Sequence, residues 1–484
     1  MDKKKLLSII LAFVLFLIII LLPTPADLPQ AGQVALGILV LAVTLWITEA
    51  VTYPVSAAII VALISIFIGL SPSLEDPNQV FGTKNALNMA MGGFSSSALG
   101  LVAGALFIAS AMEATGLHKR IALYIMSKVG TNVNNLIIGT ILVSTVLAFF
   151  VPSATARAGA IVPILLGIVA ALGLPKDSRL SALLTITAVQ SISLWNIGIK
   201  TAAAQNMVAL GFIEDQFSVD ISWGEWFLYA APFTIIMSVV LFFVMKYMIK
   251  PEYDGLNNGK QIILEKLKEL GPISSKEKRL IIYSITLLFL WTTEGILHPV
   301  DSTTVTLVVF ALMIMPGIGV YTWKHVQTSV NWGTLIVFAV GISLGTTLLN
   351  TEGAQWFSDT VLGAVGINKM PLIAIIAVLS LFNILIHLGF ASATSLASAF
   401  IPIVIALSTS LATDFNIIGI ILIQQFVISF GFLLPVNAPQ NMLAYGTGAF
   451  RAKDLLKTGI PLTIIGYLMI ILFSATYWQW IGLL

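Results

Sequence analysis

The sequence predicts an all-α polytopic membrane protein built from two inverted repeats. Three observations lead there. The 484 residues are 58% hydrophobic and only 10% charged, with mean hydropathy +1.00, whereas an ordinary soluble domain is about 25% charged. Apolar runs of membrane-spanning length recur along the chain. Short motifs of the first half return in the same order in the second. So few charges cannot coat a water-facing surface, and a net charge of +2 makes no basic field for nucleic acid. A soluble enzyme, a disordered chain and a nucleic-acid binder are therefore excluded. The absence of cysteine removes disulfides, iron–sulfur clusters and thiolate metal sites.

Residues 1–30 open with Lys3, Lys4 and Lys5, followed by an apolar run at 6–22. A signal peptide opens the same way, but Pro23-Thr24-Pro25-Ala26-Asp27 is a poor cleavage site. An uncleaved first helix is expected. Further spans are expected at about 33–50, 54–71, 91–116, 180–212, 226–249, 280–298, 302–319, 331–350, 416–445 and 459–483, making eleven transmembrane helices.

Two stretches, 132–174 and 370–411, are each about two span lengths with a small, polar break in the middle. The breaks are Pro152-Ser153-Ala154-Thr155-Ala156-Arg157 and Gly389-Phe390-Ala391-Ser392-Ala393-Thr394-Ser395. Each fits two ordinary crossings or one re-entrant hairpin. Lys and Arg favour the cytoplasmic side of short loops. With the N-terminus cytoplasmic and both stretches read as hairpins, 20 of the 24 Lys and Arg residues face inward. The outer loops then hold acids from Asp27 to Asp414, with only Lys84 and Lys369 among them. Two full crossings per stretch leave the orientation unchanged but give no account of the matching breaks. The expectation is a multi-pass protein of the cell membrane with two re-entrant hairpins.

The repeat rests on three matches. Leu45-Trp46-Ile47-Thr48-Glu49-Ala50 with Pro54 returns as Leu290-Trp291-Thr292-Thr293-Glu294-Gly295 with Pro299. Ser153-Ala154-Thr155 with Pro163 returns as Ser392-Ala393-Thr394 with Pro402. Gln205-Asn206-Met207 returns as Gln440-Asn441-Met442. Repeat one is placed at 31–250 and repeat two at 280–484. Between them, 251–279 contains Pro251, Asn257, Asn258 and Gly259, then helical spacing from 262 to 270, and reads as an amphipathic cytoplasmic linker. Five crossings and one hairpin per copy give the copies opposite topology. Inverted repeats with interrupted apolar segments at matching positions point to a secondary transporter with a midplane site.

The tips are the first candidate site. Ser153, Thr155, Ser392 and Thr394 offer hydroxyls, and Ala154 and Ala393 let backbone N–H groups approach a ligand. Each tip begins a half-helix whose N-terminal amides suit a carboxylate. Two facing tips suit a ligand with a carboxylate at each end. Packing between helices is the bland alternative for a lone Ser-x-Thr; recurrence in both copies favours binding. A second pair of breaks, 195–206 and 435–441, interrupts apolar helices with amides, Gly or Pro. Gly198, Thr201 and Asn437 there are candidate substrate contacts, because unwound helices present carbonyls and amides to substrate or ion.

Paired tips, broken helices and inverted five-helix repeats together resemble the divalent anion/sodium symporter family, which includes dicarboxylate carriers. The resemblance covers the chain after its first helix. It implies a homodimer of eleven-helix protomers, each with a fixed scaffold and a transport domain moving as an elevator. The scaffold would comprise the helices near 54–116 and 302–350; the hairpins and broken helices would travel. Family tips read Ser-Asn-Thr, and each Asn serves a sodium ion and a substrate carboxylate. Here both positions are alanine, Ala154 and Ala393, which supply no side-chain carbonyl. Three cationic groups sit near these breaks: Lys200, Arg157 and His387. Intramembrane ionisable residues default to functional roles, so a tethered cation is expected to replace sodium as counter-charge for a dianion. Arg157 could instead snorkel, and His387 could be a packing residue.

Sodium-independent exchange of C4 and C5 dicarboxylates (malate, succinate, 2-oxoglutarate) is the resulting expectation, with no cofactor, no metal site and no nucleic-acid partner. A sodium- or proton-coupled symporter is the alternative; a channel and an intramembrane hydrolase are the others. Gly341-Ile342-Ser343-Leu344-Gly345 mimics a hydrolase elbow but sits mid-span, so it reads as helix packing. Gly100 and Gly104 read likewise. Glu49 and Glu294 read as hydrogen-bonded structural acids. His118, His298, His325 and His387 are scattered and match no metal motif.

Overall fold

The computed structural model describes residues 3–130, 132–252, 259–367, 370–411 and 415–484. Asn257, Asn258, Lys369 and Asp414, used above, lie outside the described residues. Helices α1 (Lys3–Leu21), α2 (Gln30–Thr48), α3 (Tyr53–Leu63), α4 (Thr83–Met91), α5 (Ser97–Thr115) and α6 (Leu117–Val129) come first. Then follow α7 (Val133–Phe150), α8 (Ala154–Ala171), α9 (Arg179–Gly198), α10 (Ala204–Phe217) and α11 (Trp223–Met248). The short α12 (Gly259–Glu269) occupies the linker. The second half supplies α13 (Ser275–Thr293), α14 (Ser302–Ile314), α15 (Trp323–Ser329), α16 (Trp332–Asn350) and α17 (Gly353–Phe357). It closes with α18 (Leu372–His387), α19 (Ala393–Ser410), α20 (Ile417–Ile428), α21 (Pro439–Gly446), α22 (Ala452–Ala475) and α23 (Tyr477–Trp480). Among the described residues, nine helices are long and apolar enough to cross a membrane. The protein is an all-helical, multi-pass membrane protein.

Capping decides boundaries that hydropathy misses. α13 starts at Ser275, earlier than the apolar run, because Ser274 and Glu277 form a reciprocal capping box. Lys276, Lys278 and Arg279 dilute the apolar signal there. α14 stops at Ile314, short of the expected end, just before Pro316 and Gly317. The expected span at 91–116 begins instead with a 3-10 turn, Gly92–Ser95, ahead of α5.

Buried tryptophans tie neighbouring helices in both halves. Trp46 Nε1 donates to Ser56 Oγ at 3.2 Å, and Trp291 Nε1 to Thr306 Oγ1 at 3.0 Å. Glu294 accepts from Ser302 N at 3.0 Å and from the Ser302 hydroxyl, which joins α13 to α14. Its repeat partner Glu49 departs from the expected structural pairing. It is exposed and ends α2 in the left-handed region at φ 46°. The hydrolase-like motif is a packing device: Ser343 Oγ accepts from Gly93 N at 3.0 Å. A Cβ on Gly341 would lie 2.2 Å from Ser398 Oγ, and one on Gly345 2.3 Å from Phe212. Gly104 similarly admits Thr306 of α14 at 2.4 Å.

Every residue from 180 to 198 in α9 is buried, with α7, α8 and α11 packed around it. In the second half α20 takes that place, against α18 and α19. After each central helix the chain breaks, continues through a 3-10 turn, and restarts; α20 is thereby left at 12 residues, short of a full span. The turns are Lys200–Ala202 before α10 and Pro435–Asn437 before α21.

Candidate functional site

The tips of the two helix pairs are built identically. Ser153 precedes α8 in extended conformation (φ −142°), and its Oγ accepts from Ala156 N at 3.3 Å. Ser392 precedes α19 at φ −138°, and its Oγ accepts from Ser395 N at 3.3 Å. A serine N-cap satisfies one free amide and leaves the first-turn donors pointing out of the helix end. Ala154 and Ala393 come next, then Thr155 and Thr394, whose hydroxyls have no protein partner among the described residues. Both Ser-Ala-Thr triplets line one cavity of about 420 Å³. Its wall also takes Tyr53, Asn196, Gln205, Gln440, Asn437 and His387. Exposed Glu113 of α5 lines it too.

The broken helices are stitched by the Gln-Asn-Met motifs. Asn206 Nδ2 donates to the carbonyls of Asn196, Ile199 and Lys200 at 2.7, 3.2 and 3.3 Å. Asn441 Nδ2 donates to those of Gly431 and Leu434 at 2.7 and 3.4 Å. These are carbonyls that an unwound helix would otherwise orphan. The glutamines cross between repeats: Gln205 Nε2 reaches Ser429 Oγ at 3.3 Å, and Gln440 Nε2 reaches Ser193 Oγ at 3.0 Å. Sequence reasoning used these motifs to find the repeat and missed their role. The signal was present in amides recurring immediately after a helix break.

The structure separates the three candidate cations. His387 lines the cavity, and its Nε2 lies 3.1 Å from Asn437 O. Arg157 is fully buried one layer behind. Its Nη2 donates to Asn196 Oδ1 and, at 2.9 Å, to Ala202 O. Its Nε and Nη1 have no partner among the described residues. Lys200 departs from the expectation. It is absent from the cavity wall; its Nζ donates to Ile221 O and lies 3.7 Å from Asp220. The extended Ile199 (φ −124°) redirects the chain before the 3-10 turn, and the loop before α11 takes the ammonium.

Gly198 and Thr201 are likewise outside that wall. Gly198 packs on Thr234 of α11, 3.1 Å from where a Cβ would stand, and Thr201 accepts from Trp223 Nε1 at 3.4 Å. Asn437 lines the cavity, yet protein groups engage its side chain. Nδ2 donates to His387 O at 2.8 Å and Phe390 O at 3.3 Å, and Oδ1 accepts from Leu434 N at 3.1 Å.

The family model described as the sodium:sulfate symporter transmembrane region matches residues 3–484. The chain belongs to this family, the divalent anion/sodium symporters. It is a transporter, not an enzyme. A membrane protein of Cupriavidus necator is 47% identical, covering 96% of this chain and 91% of that one. The L-tartrate/succinate antiporter of Escherichia coli is 28% identical over 96% of each chain. The sodium-dependent dicarboxylate transporter SdcS of Staphylococcus saprophyticus is 24% identical over 97% of this chain and 91% of its own. Among solved structures, the Alcanivorax borkumensis YdaH transporter aligns with TM-score 0.54 and 13% identity, covering 90% of this chain and 98% of that one. That likeness concerns the fold.

Proposed function

We propose that the chain exchanges C4 and C5 dicarboxylates such as malate, succinate and 2-oxoglutarate without sodium. One observation carries the coupling mode. Unwound backbone carbonyls are the usual ligands of a coupling sodium ion in such transporters. In this chain the carbonyls of Ala202 and Asn437, at matching positions of the two 3-10 turns, are each met by a side-chain nitrogen, Arg157 Nη2 and His387 Nε2. Ala154 and Ala393 add no side-chain oxygen. Carbonyls already held by side-chain donors, a guanidinium in one repeat and an imidazole in the other, leave less for a bound sodium ion. The two N-capped tips, with free threonine hydroxyls across one cavity, suit a carboxylate at each end of the substrate. The names of the Escherichia coli and Staphylococcus relatives support dicarboxylates as the substrate class. The Staphylococcus name favours sodium coupling as the second reading.

In this reading α7–α8 and α18–α19 are re-entrant hairpins, and α9–α10 and α20–α21 are single broken crossings. With seven plain helices and two scaffold crossings led by α4 and α15, the count is eleven spans. The N-terminus is cytoplasmic. The hairpins and broken helices form a transport domain that slides as an elevator on a dimeric scaffold. Uptake into proteoliposomes tests the proposal. Uptake is expected only with dicarboxylate inside, unchanged by sodium replacement. Strong sodium-driven uptake into empty vesicles sinks the exchange reading. Thr155→Val and Thr394→Val should each weaken dicarboxylate binding by roughly tenfold or more, since a hydrogen bond to a charged group is worth about 1.5–3 kcal/mol. Wild-type affinity in both would remove the tips from the site.

A further inference from the structure

A second, larger cavity of about 1020 Å³ lies away from the tips. It forms where the end of α11, the start of α9, the end of α21 and the start of α22 converge. Five cations line it: Arg179, Lys250, Arg451, Lys453 and Lys457. None is ion-paired among the described residues. Of its three acids, two are committed to backbone amides. Glu252 accepts from Arg179 N at 2.8 Å and Leu180 N at 3.3 Å; Asp454 accepts from Arg451 N at 3.0 Å. With Asp177 the third acid, the cavity is a bowl that sets five cations against three carboxylates and keeps an excess of positive charge.

Apolar surface adjoins the bowl. Two exposed apolar stripes run from the rim along packed neighbours α11 and α22. On α11 the stripe is Tyr247, Phe243, Val239 and Ile236; on α22 it is Leu456, Ile460, Ile464, Leu468 and Leu472. Both keep the three- and four-residue spacing of one helix face. A soluble anion would use the bowl and ignore the stripes. A lipid with a charged head and several chains uses both. Basic pockets between transmembrane helices are suited to polyanionic lipid headgroups.

We infer that this cavity binds the headgroup of a polyanionic phospholipid of the diphosphate, four-chain type, with its acyl chains lying along α11 and α22. The site is independent of the transport reading. It lies on the lysine-rich face, which the proposed orientation puts inside, and it touches the starts of α9 and α22. A lipid held there ties the central broken helix to the adjoining bilayer leaflet.

Native mass spectrometry of the full-length chain tests it, titrating cardiolipin, phosphatidylglycerol or phosphatidylethanolamine into detergent-purified protein. Cardiolipin should bind tightest. The triple variant K250Q/K453Q/K457Q should lose roughly a hundredfold in cardiolipin affinity, given the contribution of each lysine to an anionic lipid surface. The triple variant K128Q/K266Q/K324Q, equal in charge but outside the cavity, should keep wild-type affinity. The single variant K453Q, which leaves the remaining cluster intact, should show a partial loss. Equal binding by the first variant and wild type overturns the site, as does an equal loss in both triples. Binding of the deacylated diphosphate headgroup as tightly as cardiolipin assigns the bowl to soluble phosphates and overturns the lipid reading.

Discussion

The two halves of the transport machinery share a backbone plan and differ in what fills it. Both tips carry a serine N-cap at nearly the same φ, and both breaks are stitched by an asparagine six residues or more beyond the carbonyls it binds. The donor differs. The first half uses Arg157, a guanidinium on α8; the second uses His387, an imidazole on α18. Among the described residues Arg157 keeps two nitrogens without a partner, whereas His387 keeps one. The comparison teaches that a duplicated backbone fixes where an acceptor carbonyl points, while each copy recruits its own donor from whichever helix passes nearby.

The largest expected effect separates those two donors. Arg157→Met preserves bulk but deletes the guanidinium that holds Asn196 and the Ala202 carbonyl behind the cavity wall, so dicarboxylate affinity should fall by roughly tenfold or more. His387→Gln retains a donor for Asn437 O and should cost roughly fivefold or less. Calorimetric titration of both variants measures the asymmetry; equal losses would mean the halves contribute alike.

Gln205→Leu and Gln440→Leu sharpen the comparison where it predicts sameness. Each removes one cross-repeat hydrogen bond to a serine hydroxyl. Each should lower unfolding free energy by about 1–2 kcal/mol, and unequal melting shifts would show that the two crossings are not equivalent.

Lys200→Met should leave dicarboxylate affinity within about twofold, while lost bonding to Ile221 O costs about 1–2 kcal/mol of stability. A dianion-selective loss of affinity would return Lys200 to the site.

The smallest effect is at the helix starts. Glu252 caps α9 from a distance, while α20 has only neutral Asn416. Burial raises the Glu252 carboxyl, but amide hydrogen bonds from Arg179, Glu252 and Leu180 and the charge of Arg179 outweigh it and hold its pKa below the usual range. Its contribution is present above the unfolded value near about 4.3 and is lost as pH falls through the lower folded value. Glu252→Gln should therefore flatten the acid side of the stability profile, read as melting temperature against pH.

The sequence by itself determined the membrane class, the two-copy plan and the breaks. Hydropathy over a span length, a serine ahead of a helix, and glycine or proline within an apolar run act through neighbours in the chain, so their signals are local. Ser153 and Ser392 were legible for that reason. Only the tertiary structure decided where long side chains go. Lys200 turned to Ile221 and Asp220, and Asn437 gave its amide to the second tip. Gln205 and Gln440 reached across 224 and 247 residues to serines of the other repeat. A flexible polar side chain buried among helices bonds whichever complementary group packing brings within about 3 Å, and that group is set by how distant helices meet.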